Sequence, residues 1–307
     1  MRGNRVMKIG FVGLGQMGGP MAMNLARSFD VLATDRDPAA LALVAAAGAT
    51  PLTAPSELAQ VDALILCLPS ATAVEAALFD RDGGLARHLA PGTTVIDTGT
   101  SDHQPTLDMH GRLAEMGLRA LDAPVSGMQA RAEDGTLTMM VGGEAQVLAQ
   151  MRPALSTMAS TILHMGGPGA GQLTKMVNNL LFDINIAALA EILPMAVRLG
   201  LDPAQLEQVV NSGTGRSYAS EFFLPRILQG AFSEGYPMQA AYKDLVGGAG
   251  ITARHAIPAP LLAAATATSQ QALQDGHGDK DKGAMMLVYE RLLGVRFRAG
   301  ASPDDPD

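Results

Sequence analysis

The sequence is almost without cysteine: Cys67 is the only one in 307 residues, so the chain forms no internal disulfide. Secreted domains often depend on disulfides, and a chain without them fits a reducing compartment. We therefore expect a cytoplasmic protein. Cys67 itself lies in the apolar run Ala63–Leu68. It is predicted to be a buried core residue, because a free thiol behaves as a small hydrophobic group.

Basic charge is also scarce. The chain has 22 Lys and Arg against 30 Asp and Glu, a net charge of −8, which argues against nucleic acid or an anionic membrane as a partner. The six histidines are scattered, so no metal site is expected. The apolar run over residues 187–195 is broken by Glu191 and is too short for a membrane span. Residues 1–6 do not resemble a secretory signal, and Met7 is an alternative start.

The first half of the chain alternates short apolar runs with helix-like stretches. The predicted strands are Ile9–Val12, Val31–Thr34, Ala63–Leu68, Thr94–Ile96, Arg119–Leu121 and Leu137–Val141. Apolar strands separated by helices are typical of a parallel sheet that is buried on both faces. We therefore predict a doubly wound α/β domain over residues 7–168, which ends in the turn-rich segment His164–Gly171.

The rest of the chain predicts helices only. Residues 172–199 read as one long interdomain helix of about 40 Å. Shorter helices are predicted at residues 204–211, 221–229, 238–255, 261–275 and 282–293. These form a predicted all-α domain over residues 169–298 for substrate binding and oligomerisation. Its long apolar helix favours a homodimer or homotetramer. The Pro- and Asp-rich tail, residues 299–307, is predicted to be disordered.

A glycine-rich sextet, Gly13-Leu14-Gly15-Gln16-Met17-Gly18, directly follows the first predicted strand and opens a helix. In this context the pattern Gly-x-Gly-x-x-Gly binds a dinucleotide. Gly13 permits a tight turn, Gly15 lets the backbone approach a pyrophosphate, and Gly18 allows close packing of helix and strand. The N-terminal domain is therefore predicted to be a Rossmann domain that binds NAD or NADP.

The choice between the two dinucleotides depends on the end of the second strand. Asp35 stands there, where a carboxylate accepts the adenine ribose hydroxyls and repels a 2′-phosphate. Arg36 follows and offers a cation for a 2′-phosphate. The Asp35 carboxylate therefore favours NAD, and Arg36 keeps NADP as an alternative. A further alternative is that Asp35 is an ordinary turn residue before Pro38.

Three more loops follow predicted strands, at residues 68–70, 97–101 and 122–127. Ligands collect at the carboxyl ends of strands in such sheets, so the loops are expected to line a cleft. Lys175 and Asn179, four residues apart, share a face of the long helix. A partly desolvated lysine there would have a pKa lowered from about 10.4 toward about 7 to 8 and would exchange protons near neutral pH. The alternative is an ordinary solvated lysine.

With these residues the sequence resembles the β-hydroxyacid dehydrogenase family, which includes 3-hydroxyisobutyrate dehydrogenase and 2-hydroxy-3-oxopropionate reductase. The matching stretches, in the family's order, are Gly13–Gly18 with Met21–Leu25, Asp122–Gly127, Gly171–Asn179 and Lys243–Leu245. The resemblance implies an NAD(P)-dependent oxidoreductase. Such an enzyme interconverts a small 3-hydroxy acid and its semialdehyde or ketone.

The resemblance also implies roles for single residues. Lys175 is the expected catalytic acid and base, and Asn179 is expected to hold the substrate or orient the lysine. Ser126 and Gly127 are expected to bind the substrate carboxylate. Cofactor contacts are implied for four further residues: Leu68, Pro69, Thr100 and Lys243.

One residue departs from the family pattern. Met128 stands where the family has a second glycine after the serine, which implies an altered substrate pocket. Arg216 and Tyr218 either reach the substrate or belong to a helix start. An imine reductase and a non-catalytic dinucleotide-binding module are the alternative functions. Both occur among relatives that lack the lysine, so Lys175 argues against them.

Overall fold

The computed structural model describes residues 7–300. These form two compact units, of which the first ends at Lys175 and the second begins at Met176. The predictions for residues 1–6 and for most of the C-terminal tail, residues 301–307, lie outside the described residues.

The first unit is built on one sheet, in which nine strands are found among the described residues. They are β1 (Lys8–Val12), β2 (Asp30–Thr34), β3 (Thr50–Pro51), β4 (Ala63–Leu66), β5 (Thr94–Asp97), β6 (Arg119–Asp122), β7 (Val125–Ser126), β8 (Leu137–Gly143) and β9 (Ala159–Gly166). Their order is β3-β2-β1-β4-β5-β6-β8-β7, and β9 pairs with β8. All six strands that were predicted are present.

The helices of this unit connect the strands. They are α1 (Gly18–Ala26), α2 (Pro38–Ala46), α3 (Ala71–Phe79), α4 (His103–Glu115), α5 (Met128–Glu133) and α6 (Ala145–Leu155). Two short 3₁₀ helices lie at Pro55–Gln60 and Leu85–His88. Neighbouring residues of a strand enter different cores: Ile65 of β4 packs in one cluster, whereas Leu64 and Leu66 pack in another. The sheet is therefore buried on both faces, as its apolar strands predicted.

The sheet is parallel from β3 to β6, but β8 runs antiparallel to both β6 and β7. A wholly parallel sheet was thus the wrong expectation at this end. A parallel crossover needs a dozen or more residues. Only residues 127–136 separate β7 from β8, which permits an antiparallel return.

Strand β9 was missed, and the predicted turn segment His164–Gly171 begins too early, because β9 extends to Gly166. Most side chains of β9 are exposed or half-buried, so its sequence lacks the continuous apolar run that marks the inner strands. Cys67 also differs from expectation. It lies just past the end of β4 and is half-buried, and burial raises the pKa of its thiol to about 11.

The second unit is helical, as predicted. Helix α7 (Ala170–Arg198) begins in the first unit and continues into the second. It is followed by α8 (Pro203–Ser212), α9 (Tyr218–Leu228), α10 (Met238–Arg254), α11 (Pro260–Gln274), a 3₁₀ turn at Lys282–Ala284 and α12 (Met285–Leu293). Side chains cap several of these: Asp202 accepts from the Gln205 N–H, and Ser217 accepts from the Ser220 N–H.

By length and composition alone, α7 is apolar enough to cross a membrane. With 29 residues, α7 is longer than the apolar run over residues 187–195, which the sequence analysis found too short for a membrane span. However, Ile186, Ala190 and Leu193 of this helix are buried in the core of the second unit. The core helices of soluble proteins have this same composition.

A charged pair lies inside that apolar core. Lys282 is hydrogen bonded to Asp183 of α7, and the two residues are 8% and 1% exposed. The Lys282 ammonium also lies 5.3 Å from the centre of the Phe182 ring. Burial raises the pKa of Asp183 to about 6, against the lowering effect of Lys282. The Lys282 ammonium therefore offsets the free-energy cost of burying the Asp183 carboxylate in this core.

We expect Lys282→Met to lower the free energy of unfolding by about 3 kcal/mol, because it leaves Asp183 buried without its cation. Replacing both residues, as Asp183→Leu with Lys282→Met, should cost less than this single change. Urea denaturation followed by circular dichroism measures both. The control is Arg291→Met, which removes the ion pair between Arg291 and Asp275, where the arginine is 58% exposed. A Lys282→Met variant as stable as this control would contradict the prediction.

Candidate active site

The glycine sextet forms the turn between β1 and α1. Gly13 has φ = +93°, and a Cβ added there would lie 2.3 Å from the Cys67 carbonyl oxygen. A Cβ on Gly18 would lie 1.9 Å from the Gly13 oxygen, whereas one on Gly15 would meet nothing within 4 Å. Gly13 and Gly18 are thus required for packing, and Gly15 leaves open space above its backbone. A dinucleotide phosphate fits such a surface at a helix N-terminus.

Asp35 supports this turn from the end of β2. Its Oδ2 accepts from the Leu14 N–H at 2.5 Å, and its Oδ1 accepts from the Asp37 N–H at 2.8 Å. The carboxylate is half-buried, and Arg36 beside it is exposed. Asp35 therefore connects the second strand to the glycine turn, in addition to any contact it makes with a ribose.

The loops after β4 and β5 pack against each other. A Cβ on Gly99 would lie 2.5 Å from the Leu68 carbonyl oxygen. The Thr98 hydroxyl donates to the Leu66 oxygen at 2.7 Å. Leu68, Pro69 and Thr100 accordingly lie in adjoining loops at the carboxyl edge of the parallel strands. Ligands collect at this edge of an open α/β sheet.

The Asp97 carboxylate holds the loop after β5 by hydrogen bonds. It is the last residue of β5 and is 1% exposed. Its carboxylate accepts from the Gly99 N–H at 2.9 Å and from the Ser101 hydroxyl at 3.1 Å. Burial raises the pKa of Asp97 to about 6, while these hydrogen bonds lower it. The conformation around Thr100 therefore depends on a carboxyl group that titrates near neutral pH.

The start of α7 is held in the same manner by Asp122, the last residue of β6. This carboxylate is fully buried and accepts from the Gly169 N–H at 2.8 Å and the Gln172 N–H at 3.0 Å. His110 Nε2 lies 3.1 Å from it. Because a helix N-terminus favours negative charge, Asp122 stabilises the first turn of α7. Lys175 follows one turn later and is half-buried.

Strand β7 ends at Ser126, Gly127 follows it, and α5 begins at Met128. Gly127 has φ = +139°. Met128 has φ = +61° and is 43% exposed. This left-handed conformation favours glycine, so Met128 keeps a strained backbone. The glycine turn lies beside α5, since Gln16 Nε2 donates to Gln129 Oε1 at 2.8 Å.

Two further predicted residues belong to the second unit. Asn179 of α7 donates from Nδ2 to Asp244 Oδ2 at 2.8 Å, and Lys243 precedes Asp244 on α10. Asn179 is therefore oriented by a carboxylate that sequence reasoning did not single out. Lys175 and Asn179 share a face of α7, as their spacing predicted.

The segment that includes Arg216 and Tyr218 forms the start of α9. Arg216 lies 3.6 Å from the Glu221 carboxylate and is exposed. Ser217 caps the helix, and the Tyr218 ring lies 5.8 Å from the Phe182 ring. The segment therefore forms a helix start, and a contact of Arg216 or Tyr218 with the substrate stays a prediction.

Four residues of the first unit were given no role of their own by sequence reasoning: Asp97, Asp122, His110 and Gln172. Asp122 and Gln172 lie within the matching stretches, but buried hydrogen bonds have no signature in one sequence. His110 is a single histidine on α4. Among residues 7–300, no group of three or more His, Cys, Asp or Glu side chains gathers as metal ligands do.

Comparison with known proteins decides the family. The model of the NAD-binding domain of 6-phosphogluconate dehydrogenase matches residues 8–167. The model of the NAD-binding domain of NADP-dependent 3-hydroxyisobutyrate dehydrogenase matches residues 169–289. The chain belongs to the β-hydroxyacid dehydrogenase family. It is an NAD(P)-dependent oxidoreductase of this family.

Relatives in this family match nearly the whole chain. A 2-(hydroxymethyl)glutarate dehydrogenase of Eubacterium barkeri is 37% identical over 297 residues, 96% of this chain and 98% of that protein. An L-threonate dehydrogenase of Cupriavidus necator is 37% identical over 285 residues, 92% and 95% of the two chains. The structure of a Mycobacterium tuberculosis 3-hydroxyisobutyrate dehydrogenase with L-serine has a TM-score of 0.83 at 31% identity, covering 92% of this chain and 99% of that one.

The titration of Asp97 gives a testable consequence for this family member. Since burial raises its pKa from about 4 to about 6, the folded state binds the proton more tightly than the unfolded state. Its contribution to stability is therefore largest at low pH and is lost as pH rises from about 4 to about 6. We expect the unfolding free energy of wild type to fall by about 2 to 3 kcal/mol relative to Asp97→Asn over this range.

Urea denaturation of both proteins at several pH values from 4 to 8 measures this difference. Asp183, whose pKa is also raised, is present in both and cancels. Parallel stability curves for the two proteins would contradict the assignment to Asp97.

Proposed function

We propose that this protein oxidises the hydroxyl of a small 3-hydroxy acid to a semialdehyde or ketone, or catalyses the reverse reduction, with Lys175 as the general acid and base. The observation that carries the proposal is the position of Lys175. It lies one turn into a helix whose start Asp122 holds at the carboxyl end of β6. The loop of Thr100 lies at the end of the neighbouring strand β5.

In oxidation, neutral Lys175 removes the proton of the substrate hydroxyl. In reduction, its ammonium form returns that proton, and its charge stabilises the developing alkoxide. Ser126 and Gly127 hold the substrate carboxylate, and Asn179, oriented by Asp244, holds the substrate or orients the lysine. When bound, the nicotinamide accepts or supplies the hydride.

The dinucleotide fits the residues of the glycine turn and the neighbouring loops. The six residues from Gly13 to Gly18 hold the pyrophosphate, and Leu68 and Pro69 pack on the cofactor. The Asp35 carboxylate accepts hydrogen bonds from the adenine ribose hydroxyls, and Thr100 and Lys243 contact the nicotinamide end. We propose NAD as the preferred cofactor, because the Asp35 carboxylate repels a 2′-phosphate, although Arg36 is available to NADP. In this division residues 7–168 form the NAD(P)-binding domain and also contribute Ser126 and Gly127 to the substrate site. Residues 169–298 serve the substrate and oligomerisation, and Lys243 among them also contacts the cofactor.

The names of the relatives supply the substrates to test. They are 2-(hydroxymethyl)glutarate, L-threonate, L-serine and 3-hydroxyisobutyrate. Met128 places a thioether side chain beside the proposed carboxylate site, so the best substrate is expected to differ from that of relatives with glycine there. Likeness to an imine reductase of Pseudomonas, at 16% identity and a TM-score of 0.57, shows the fold alone.

The test is an initial-rate assay at 340 nm with NAD and with NADP over this substrate panel. We expect Lys175→Ala to lower kcat by about 10³-fold, because general acid and base catalysis is removed, while NAD affinity is unchanged. Lys280→Ala, in a loop of the second unit, is the matched control and should keep full activity. Equal rates in wild type and Lys175→Ala would overturn the proposed mechanism, and faster turnover with NADP would overturn the cofactor preference.

We also propose a soluble, cytoplasmic homodimer or homotetramer. Ile192 and Met195 of α7, and Leu199 directly after its end, have the spacing of one helix face and are 50%, 45% and 76% exposed. Exposed apolar patches mark interfaces between subunits.

Light scattering of wild type should give at least twice the 31.8 kDa mass of the chain. Ile192→Glu should shift the mass toward that of one chain, since it places a charge on the proposed interface. The control is Leu43→Glu, which alters an equally exposed apolar residue of α2. A wild-type mass of one chain would refute the assembly.

A further inference from the structure

The Gln172 side chain connects the loop after β5 to the first turn of α7. It is 2% exposed. Its Nε2 donates to the Gly99 carbonyl oxygen at 2.8 Å, and its Oε1 accepts from the Ser101 N–H at 3.0 Å. The two backbone groups that it binds flank Thr100. A primary amide both donates and accepts without carrying charge, so it satisfies both groups in a buried place where a carboxylate or an alkyl chain does not.

The backbone of the same residue is fixed to a different strand. The Gln172 N–H donates to Asp122 Oδ2 at 3.0 Å. The neighbouring Gly171 leaves no slack, because a Cβ there would lie 2.4 Å from the Met140 oxygen and 2.6 Å from the Asp122 oxygen. Gln172 therefore joins the ends of β5 and β6 in one network. Lys175 follows one turn later on the same helix.

We propose that Gln172 is a positioning residue, which sets the location of Lys175 relative to the loop of Thr100. This inference assumes the proposed function, in which Lys175 exchanges the proton and Thr100 contacts the nicotinamide end. Proton transfer requires heavy atoms within about 2.6 to 3.2 Å. A displacement of about 1 Å in such a site lowers the rate by about 10²-fold. A connection between the two elements therefore acts on the chemical step.

The same network predicts that loss of the Gln172 amide lowers kcat but hardly changes the binding of the hydroxy acid or of NAD. Without the amide, the Thr100 loop is still held by Asp97, and α7 is still held by Asp122. Both binding elements persist, and only their alignment becomes looser. We expect Gln172→Met to lower kcat by about 30- to 100-fold. The KM of the hydroxy acid and the Kd of NAD should change by less than about 3-fold.

The matched control is Thr93→Val. The Thr93 hydroxyl is also buried and donates to the Val61 carbonyl oxygen at 3.3 Å, but it lies at the amino end of β5. This variant should lose thermal stability and keep its kcat. If Gln172→Met likewise loses only stability, with kcat within about 3-fold of wild type at a temperature where it is folded, the positioning role is overturned.

A second variant, which keeps the shape of the glutamine side chain, covers the case in which the methionine variant does not fold. Gln172→Glu keeps an oxygen for the Ser101 N–H and regains a donor for Gly99 only when its carboxyl is protonated. The titratable groups around this place include Asp97 of β5, Asp122 of β6, His110 of α4 and Lys175 of α7. Its kcat relative to wild type should rise as pH falls from about 8 to about 6. A ratio that does not change with pH would contradict the proposal.

The two proposals fail in different ways. Loss of activity in Lys175→Ala together with full activity in Gln172→Met keeps the proposed function and overturns the positioning role. Full activity in Lys175→Ala overturns the function on which the positioning role depends.

Discussion

The location of the proposed catalytic lysine depends on the buried carboxylate of Asp122. Removing a carboxylate from water is costly unless hydrogen bonds replace its hydration. Asp122 is fully buried, accepts from two backbone N–H groups at the start of α7, and contacts His110. The space around it is filled, since a Cβ on Gly142 would lie 2.5 Å from its Oδ1. The carboxylate and the helix start thus require each other, and the location of Lys175 follows from that contact.

The same device recurs along the carboxyl edge of the sheet. Asp35 follows β2, Asp97 ends β5 and Asp122 ends β6, and each accepts from backbone N–H groups of a loop. Hydrogen bonds to the protein's own carboxylates therefore fix the conformation of the loops that are proposed to hold the cofactor. Such loops are ordered before a ligand arrives, which lowers the entropic cost of binding. The pKa of Asp97 is raised mainly because burial removes its carboxylate from water, and the negative charge of the neighbouring Asp122 raises it further.

The second unit uses charge differently. Its core holds the buried pair of Lys282 and Asp183, and one Asp183 oxygen has no hydrogen-bond partner among the described residues. Asn179, on the same helix as Asp183, is bound to Asp244. Paired polar groups in an apolar core favour one packing arrangement over its alternatives, because any other arrangement leaves a charge buried alone.

Local patterns in the sequence determined much of this molecule. Apolar runs located the inner strands because strands buried on both faces must be continuously apolar, and the glycine sextet marked its turn because only glycine tolerates the contacts at Gly13 and Gly18. The helices of the second unit followed from periodicity. Sequence reasoning missed the edge strand β9, because an exposed strand need not be apolar. It also missed the antiparallel direction of β8, because strand direction depends on the length of the connection.

Tertiary structure decided what the polar residues do. Asp122 and Gln172 owe their roles to partners that are distant along the chain, and Gln172 bonds to residues more than seventy positions away. A single sequence names the residue types but not their hydrogen-bond partners. The conformation of Met128 is decided in the same way, because the surrounding loop holds its backbone at φ = +61° against its own preference. Local propensity thus determined the elements and their order, and long-range packing decided which side chains meet.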